Sequence, residues 1–339
     1  MYLISGGGSQ LGLNTARALV AEGQKVVLTT RRRNDPLTTR VVEESGGLAS
    51  MEILDLTNMY EVVNLMSRYD IKRVVHTATA HMYAHSRAAN FPSYQMLFNM
   101  LEAATSFGVE RLVLCNSFVV YRGVEGPFRE DQALPPDFLS QKTGVSLEFV
   151  PPFEVTLKRI MEAIALDYGA PMAMWDQAPK LGGEPRSRQM ETVVLRFPAQ
   201  AGPFYNSMYN PVACLVHAYV KQRPDLLADR PLRGFADISY ARDNADATCR
   251  VAMADELPNR IYNVSSGVRV TGREVLEALY RVAPDAKALL KLEPADQAHT
   301  PNKQYLDINR IREDLGWSPQ FNIDTLLADY IDWLRSNPY

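Results

Sequence analysis

The stretch Ser5-Gly-Gly-Gly-Ser-Gln-Leu-Gly12 decides the fold, because it joins an apolar run at Tyr2–Ser5 to a helical pattern over Leu11–Glu22. Glycines let the backbone of such a turn adopt positive φ and approach a phosphate closely. The free N–H groups that begin the next helix face that phosphate, and the helix dipole favours its negative charge. A strand, a glycine-rich turn and a helix in this order predict a dinucleotide-binding site, the alternative being a flexible turn without a ligand. The residues predicted to line this site are Gly6, Gly8, Ser9, Gln10, Leu11 and Gly12.

Short apolar runs alternate with helical patterns through the first half of the chain. Further strands are predicted at Lys25–Thr30, Met51–Leu54, Arg73–His76, Arg111–Cys115 and Thr192–Arg196, with helices over Tyr60–Tyr69 and Thr156–Tyr168. Continuous apolar runs indicate strands covered on both faces, and strands that alternate with helices imply parallel crossovers. The sequence therefore predicts an α/β fold with a Rossmann-type, doubly wound parallel sheet.

In the last third of the chain, strands no longer alternate regularly with helices. Helices are predicted over Ala213–Arg223, Ala241–Ala254, Arg273–Ala283 and Asp324–Arg335. We expect a Rossmann domain over residues 1–200, with inserted loops at 123–152 and 169–190, and a smaller, mostly helical substrate lobe over 201–339 that is interwoven with it. Loops of that length inside a compact domain are usually functional, and these are predicted to cover the substrate pocket.

Composition excludes several classes of protein. Of 339 residues, 46% are hydrophobic, and 36 basic side chains nearly balance 39 acidic ones, so we expect no nucleic-acid partner. No apolar stretch reaches the 18 or so residues that span a bilayer, and the first strand leaves no room for a signal peptide. Three scattered cysteines fit neither a disulfide framework nor a zinc site, and Cys115 is expected in the core. A cytoplasmic protein without a metal is expected.

The end of the second strand bears on the choice of cofactor. An acidic residue at this position would bind the ribose 2′-hydroxyl, but the sequence reads Thr29-Thr30-Arg31-Arg32-Arg33. Hydroxyl and guanidinium groups suit a 2′-phosphate, which arginine can bind through two hydrogen bonds. NADP is therefore predicted, with Thr30, Arg31 and Arg32 as ligands and NAD as the alternative.

Several motifs in order resemble the extended short-chain dehydrogenase/reductase family, also called the NAD(P)-dependent epimerase/dehydratase family. They are Asp55-Leu56, Val74-Val-His-Thr-Ala78, Leu101-Glu-Ala-Ala104 with Gly108-Val-Glu-Arg111, Asn116-Ser-Phe-Val-Val-Tyr121, Leu195-Arg-Phe-Pro198 with Gly202-Pro203, Tyr262-Asn-Val264 and Leu315-Gly-Trp-Ser-Pro319. The resemblance runs almost from end to end. It implies that the cofactor also contacts Asp55, Leu56, Thr77, Ala78, Thr79, Lys158 and Phe197.

The family's chemistry needs a Ser that hydrogen-bonds the reacting oxygen, a Tyr that exchanges the proton, and a Lys four residues after that Tyr. Ser117 and Lys158 match the Ser and the Lys. Glu154 stands where the Tyr is expected, and a carboxyl ordinarily has a pKa near 4.3, far below that of a phenol. Two further departures are Ser9 for the middle glycine of the turn and Ser93 for a family Asn.

Two hypotheses are consistent with the missing family Tyr and the other departures from the family pattern. In one, Glu154, Tyr121 or a histidine from His81-Met-Tyr83-Ala-His85 carries the proton, and the same segment contacts the substrate. In the other, the ordinary redox step is lost. A metal site at His81, His85 and Glu154 is not predicted, because no ligand spacing demands it.

These observations predict an NAD(P)-dependent oxidoreductase of the epimerase/dehydratase type with an altered proton donor, acting on a hydroxyl or carbonyl of a small oxygenated substrate. The alternatives are a nucleotide-sugar epimerase or dehydratase, and a dinucleotide-binding protein without catalysis or redox chemistry. The resemblance also implies a homodimer formed through two helices of each subunit, one of them carrying Lys158.

Overall fold

A computed structural model describes residues 1–33, 35–80, 86–136, 152–170, 190–205, 210–227, 237–290 and 304–337. Its strands are β1 Tyr2–Ser5, β2 Val26–Thr30, β3 Ala49–Ile53, β4 Arg73–His76, β5 Arg111–Ser117, β6 Glu191–Phe197, β7 Ala199–Ala201, β8 Ile238–Tyr240 and β9 Ile261–Asn263. Its helices are α1 Gln10–Ala21, α2 Pro36–Glu44, α3 Met59–Arg68, α4 Arg87–Ser106, α5 Pro152–Tyr168, α6 Pro211–Val220, α7 Ala241–Met253, α8 Gly272–Val282, α9 Ala286–Leu290, α10 Asn309–Leu315 and α11 Ile323–Ser336.

Seven strands form one sheet in the order β3-β2-β1-β4-β5-β6-β9. β1 pairs in parallel with both β2 and β4, so that Ile4 lies between Leu28 and Val75. The order reverses at β1, and such a reversal opens a crevice at the carboxyl ends of the two strands that flank it. The predicted Rossmann-type sheet is confirmed, and the glycine-rich turn lies at this crevice.

The core of the sheet follows from its sequence. β-branched residues fill β2 and β4, and Val27 and Val74 are buried in one hydrophobic cluster with apolar residues of α3 and α4. Helices cover the strands on both faces, which explains why the strands read as continuous apolar runs.

The chain divides into two compact units. Unit 1 comprises residues 1–116, 156–195 and 248–261, and unit 2 comprises 117–155, 196–247 and 262–339. The chain thus passes from one unit to the other five times, whereas the sequence predicted two interwoven parts with one boundary after residue 200.

Unit 2 contains mostly helices among its described residues. α11 packs against α6 and α8, and β7 pairs with β8. Reciprocal capping boxes fix the starts of α8, at Thr271 and Glu274, and of α11, at Asn322 and Thr325.

Three findings bear on the classes of protein considered above. Within the described ranges, no helix is long and apolar enough to cross a membrane. Among the same residues, no three His, Cys, Asp or Glu side chains are placed to hold a metal ion. None of the three cysteines forms a disulfide, and Cys115 lies half-buried in β5.

Candidate cofactor and active site

The glycine-rich turn between β1 and α1 is held against the neighbouring strands. Gly6 has a φ of +79°, and a Cβ atom added there would lie 2.7 Å from the Cα of Ala78. The backbone N–H of Gly6 donates to Thr29 Oγ1 at 3.0 Å. Only glycine satisfies both the left-handed backbone and the close approach of Ala78, just after β4, so the first glycine of the turn is required.

Ser9 replaces the middle glycine of the family pattern without strain. Its φ is −80°, which any residue adopts, and it is the N-cap of α1. Its Oγ accepts a hydrogen bond from the N–H of Gly12 at 3.1 Å and lies 3.0 Å from Thr77 Oγ1. The substitution therefore adds a helix cap while keeping the turn in place.

Gly12 lets the first turn of α1 approach the loop. A Cβ atom there would lie 2.8 Å from the carbonyl oxygen of Gly6. Gln10 and Leu11 begin the helix. The first turn of any helix has N–H groups that point away from the helix body towards its N-terminal end. The turn thus presents N–H groups and a positive helix end, which is what a pyrophosphate requires.

The carboxyl end of β4 holds the other side of the crevice. Thr77 Oγ1 lies 3.0 Å from the carbonyl oxygens of both Ser5 and Gly6. Thr79 is exposed, and Ser93 Oγ accepts a hydrogen bond from the N–H of Ala80 at 2.7 Å. Ser93, which replaces the family Asn, therefore fixes the segment that follows β4.

A buried polar group lies beside this crevice. His76 Nδ1 is 2.7 Å from Ser5 Oγ, and the side chain has no exposed surface. Burial first, and then the positive charge of Lys158, lowers the pKa of His76 to about 3. The imidazole is therefore neutral at ordinary pH.

Lys158 lies on α5, buried near the ends of β4 and β5. Its charge also opposes the rise in the pKa of Cys115 that burial causes. Asn116, at the end of β5, donates through Nδ2 to the backbone carbonyl of Lys158 and to Glu162 Oε2, both at 3.1 Å. Asn116 and Glu162 were not singled out from the sequence, although the position of Asn116 directly before Ser117 was a usable signal.

Ser117 and Glu154 lie in unit 2. Ser117 ends β5, is half-buried, and caps a short 3-10 helix over Phe118–Tyr121. Glu154 is buried in the first turn of α5, one turn before Lys158 in the helix. Their catalytic roles stay predictions.

Tyr121 is held in a closed polar network within unit 2. Its hydroxyl donates to Asn263 Oδ1 at 2.9 Å and accepts from Arg196 Nη1 at 2.6 Å. The Arg196 guanidinium also lies 4.7 Å from the ring centroid. Burial raises the pKa of Tyr121 to about 12, although Arg196 opposes the rise. A phenol that is buried and fully hydrogen-bonded is poorly suited to pass a proton to a substrate, so this geometry gives the predicted catalytic role no support.

The residues predicted to contact the adenosine half of the cofactor differ in burial and in hydrogen-bond partners. Asp55 Oδ1 accepts from both the N–H and the Oγ1 of Thr57, at 2.9 Å each. Leu56 is buried in the core, and Phe197 is buried at the end of β6. Thr30 is buried, whereas Arg31, Arg32 and Arg33 are exposed.

Some predicted residues lie outside the described ranges. They include His81, Tyr83 and His85, and residues 137–151 and 171–189 of the two inserted loops.

Comparison with known proteins supports the resemblance. Residues 2–142 match the NAD dependent epimerase/dehydratase family. A UDP-glucuronate 4-epimerase of Thermodesulfobacterium geofontis is 24% identical over 360 residues, which cover 99% of this chain and 96% of that protein. A UDP-glucose 4-epimerase 3 of Oryza sativa subsp. japonica is 24% identical over 360 residues, covering 99% and 90%.

Solved structures share the fold over nearly the whole chain. The UDP-glucose 4-epimerase from Bifidobacterium longum, in complex with NAD+ and UDP, has a TM-score of 0.68 at 19% identity and covers 99% of this chain and 98% of that one. The dTDP-glucose 4,6-dehydratase from Bacillus anthracis, in complex with NAD, has a TM-score of 0.72 at 17% identity, covering 99% and 97%.

Proposed function

We propose that this chain, whose residues 2–142 match the NAD dependent epimerase/dehydratase family, is an NAD-dependent epimerase or dehydratase acting on a nucleotide-linked sugar. The observation that carries the proposal is the glycine-rich turn, with Gly6 and Gly12 in positions that admit no side chain. A buried Lys158 on α5 supports it. The names of the full-length relatives support a nucleotide sugar as the substrate.

The turn fits a dinucleotide. It offers N–H groups at the start of α1 to the pyrophosphate, and Lys158, near the ends of β4 and β5, would hold the nicotinamide ribose. When bound, NAD supplies a hydride acceptor for the carbon that carries a substrate hydroxyl. Lys158 adds a fixed positive charge that favours an anionic base or an oxyanion at the reacting group.

We assign proton transfer to Glu154 and orientation of the reacting oxygen to Ser117. A carboxylate at position 154 would accept the proton of the substrate hydroxyl and would return it to the same oxygen later in the cycle. Tyr121 is excluded from this role in the proposal, because Arg196 and Asn263 already occupy its hydroxyl.

The cofactor in this proposal is NAD. The sequence predicted NADP from the threonine hydroxyls and the arginines that end the second strand, and the arginine side chains are exposed. The solved structures of similar fold named above were obtained with NAD.

The experiment combines binding with product analysis. Calorimetry should show NAD+ binding, and incubation with UDP-glucose, UDP-glucuronate or dTDP-glucose should yield an epimer or a dehydrated keto sugar by NMR. Glu154→Gln should lower the rate by about 100-fold or more with NAD+ affinity kept, because general acid–base catalysis contributes that much. Lys158→Ala should weaken NAD+ binding. The exposed Glu256→Gln is the matched control.

The outcomes separate the roles. Full activity in Glu154→Gln would remove that residue as the proton carrier, and no binding of NAD+ or NADP+ would remove the enzymatic proposal. A second candidate, a dinucleotide-binding protein without turnover, is favoured by the missing family Tyr at position 154. Binding of NAD+ with no conversion of any sugar would select it.

A homodimer is also proposed, formed through α4 and α5. Phe91, Tyr94 and Phe98 lie along one face of α4, with stacked or tilted rings, and Phe91 is 56% exposed. Ile160 on α5 is 43% exposed. Apolar surface of this kind marks protein interfaces. Light scattering should give twice the chain mass, and Phe91→Glu should give the monomer; a monomeric wild type would refute the proposal.

A further inference from the structure

Asp35 places a buried carboxylate against the glycine-rich turn. The side chain is 6% exposed, and a Cβ atom added to Gly8 would lie 2.9 Å from its Oδ2. The same point is 3.3 Å from the Oγ1 atoms of both Thr30 and Thr38. Gly8, Thr30, Asp35 and Thr38 therefore form one polar cluster, called here the Asp35 cluster, where the turn meets the end of β2.

The carboxylate of Asp35 is not used to cap the helix that it precedes. Asp35 is the N-cap of α2, but its side chain makes no capping hydrogen bond to the helix backbone. Its Oδ2 accepts a hydrogen bond from Thr38 Oγ1 at 2.7 Å. A carboxylate has about four acceptor sites, so Asp35 keeps capacity for a further donor.

The position of the cluster matches one part of a dinucleotide. In Rossmann-type sheets the adenosine ribose lies beyond the end of the second strand, where an acidic residue binds its hydroxyls. Here the second strand ends in Thr30, and the acid comes from residue 35, after the chain has turned back to the start of α2. Arg31, Arg32 and Arg33 between them are exposed, so the buried charge of the cluster is negative.

We propose that Asp35 is the specificity residue of the cofactor site: its carboxylate accepts a hydrogen bond from the ribose 2′-hydroxyl of NAD and repels the 2′-phosphate of NADP. This inference rests on the dinucleotide site proposed above. It assigns the choice between NAD and NADP to a residue outside the second strand, whereas the three arginines suggest a preference for NADP. A 2′-phosphate in the cluster would bring a second negative group close to a buried carboxylate, where charges are poorly screened.

The test measures dissociation constants for NAD+ and NADP+ by calorimetry. Wild type should bind NAD+ more tightly, and Asp35→Asn should lower the ratio of the NADP+ constant to the NAD+ constant by about 10- to 100-fold, the usual effect of a hydrogen bond to a charged group. Asp70→Asn is the matched control, because its side chain is 81% exposed. Melting temperatures should be recorded to confirm that each variant folds.

A second measurement does not depend on a variant. Wild type should bind 2′-deoxy-NAD+ about 10-fold or more weakly than NAD+, because the hydroxyl that Asp35 holds is missing. Equal affinity for the deoxy analogue, preference of wild type for NADP+, or an unchanged ratio in a folded Asp35→Asn would each overturn the inference while leaving the proposed function standing. Failure of wild type to bind either dinucleotide would instead overturn the proposed function, and the inference with it.

Discussion

Replacing Arg111 by Met should cost the protein much of its stability, because Arg111 joins three parts of unit 1. Its side chain is 3% exposed at the start of β5 and forms an ion pair with Glu191 of β6. It also donates to the carbonyl oxygens of Val251 at 2.9 Å and Ala254 at 2.5 Å. These carbonyls belong to the carboxyl end of α7, where backbone acceptors lack intrahelical donors.

The magnitude follows from burial. Removing the buried guanidinium costs about 3–5 kcal/mol, because the carbonyl oxygens of Val251 and Ala254 lose their donor and Glu191 keeps only its exposed partner, Arg260. Arg260 is the matched control, because it pairs with the same Glu191 but is 45% exposed. Exposed pairs contribute about 0–1 kcal/mol.

Urea unfolding followed by circular dichroism measures the difference. With a slope of about 3 kcal/mol per molar urea, Arg111→Met should lower the midpoint by about 1–1.7 M, and Arg260→Met by about 0.3 M or less. Equal shifts in the two variants would refute the reasoning, because they would show that burial does not set the contribution of this pair.

Three further predictions concern the site. Gly6→Ala should destabilise the fold by about 1–3 kcal/mol and abolish measurable NAD+ binding in calorimetry. The reason is that the new Cβ would collide with Ala78 and that the backbone φ at position 6 is positive. Retained NAD+ binding would contradict the role of the turn. Tyr121→Phe should lower the unfolding free energy by about 1–3 kcal/mol, because Arg196 loses a buried acceptor. Turnover should stay within a few-fold of wild type. A loss of turnover of about 100-fold or more would restore Tyr121 as a catalytic candidate. The protein should lose about 1.6 kcal/mol of stability through His76 between pH 6.5 and 5.0. The folded-state pKa of about 3 keeps this imidazole neutral, while the same side chain in the unfolded chain takes up a proton as the pH falls through 6.5. Parallel stability profiles for wild type and His76→Asn would contradict this.

The sheet could be predicted because its signals are local. β1 was predicted at Tyr2–Ser5 and is observed there, and α7 was predicted over Ala241–Ala254 and ends one residue earlier, at Met253. Buried parallel strands read as short apolar runs, and amphipathic helices repeat every three to four residues, so both appear in the sequence without tertiary information.

α2 was missed, and Asp35 was missed with it. The segment is short and polar at its start, so it has little apolar periodicity, although Asp35 followed by Pro36 is an ordinary signal for the start of a helix. Asp35 becomes informative only because the chain turns back onto Gly8, and such a contact depends on the tertiary fold.

The two predicted roles at Arg31 and Tyr121 depended on surroundings that a motif does not contain. Arg31 follows a strand in the position suited to a phosphate and is exposed, so its role as a phosphate ligand stays a prediction. Tyr121 has the correct residue type for proton transfer, but Arg196 and Asn263 enclose its hydroxyl from far along the chain. Residue type and spacing predict that a site exists; burial and partners decide which side chains are available to it.

The chain crosses five times between its two units, and these crossings affect folding during translation. Unit 1 needs residues 248–261, which include the carbonyls that Arg111 holds. At ordinary translation speeds the ribosome takes on the order of 10–30 s to proceed from residue 116 to residue 261. During that interval the first strands are outside the tunnel with their sheet incomplete, so a cell must protect this nascent chain until the last piece of unit 1 has emerged.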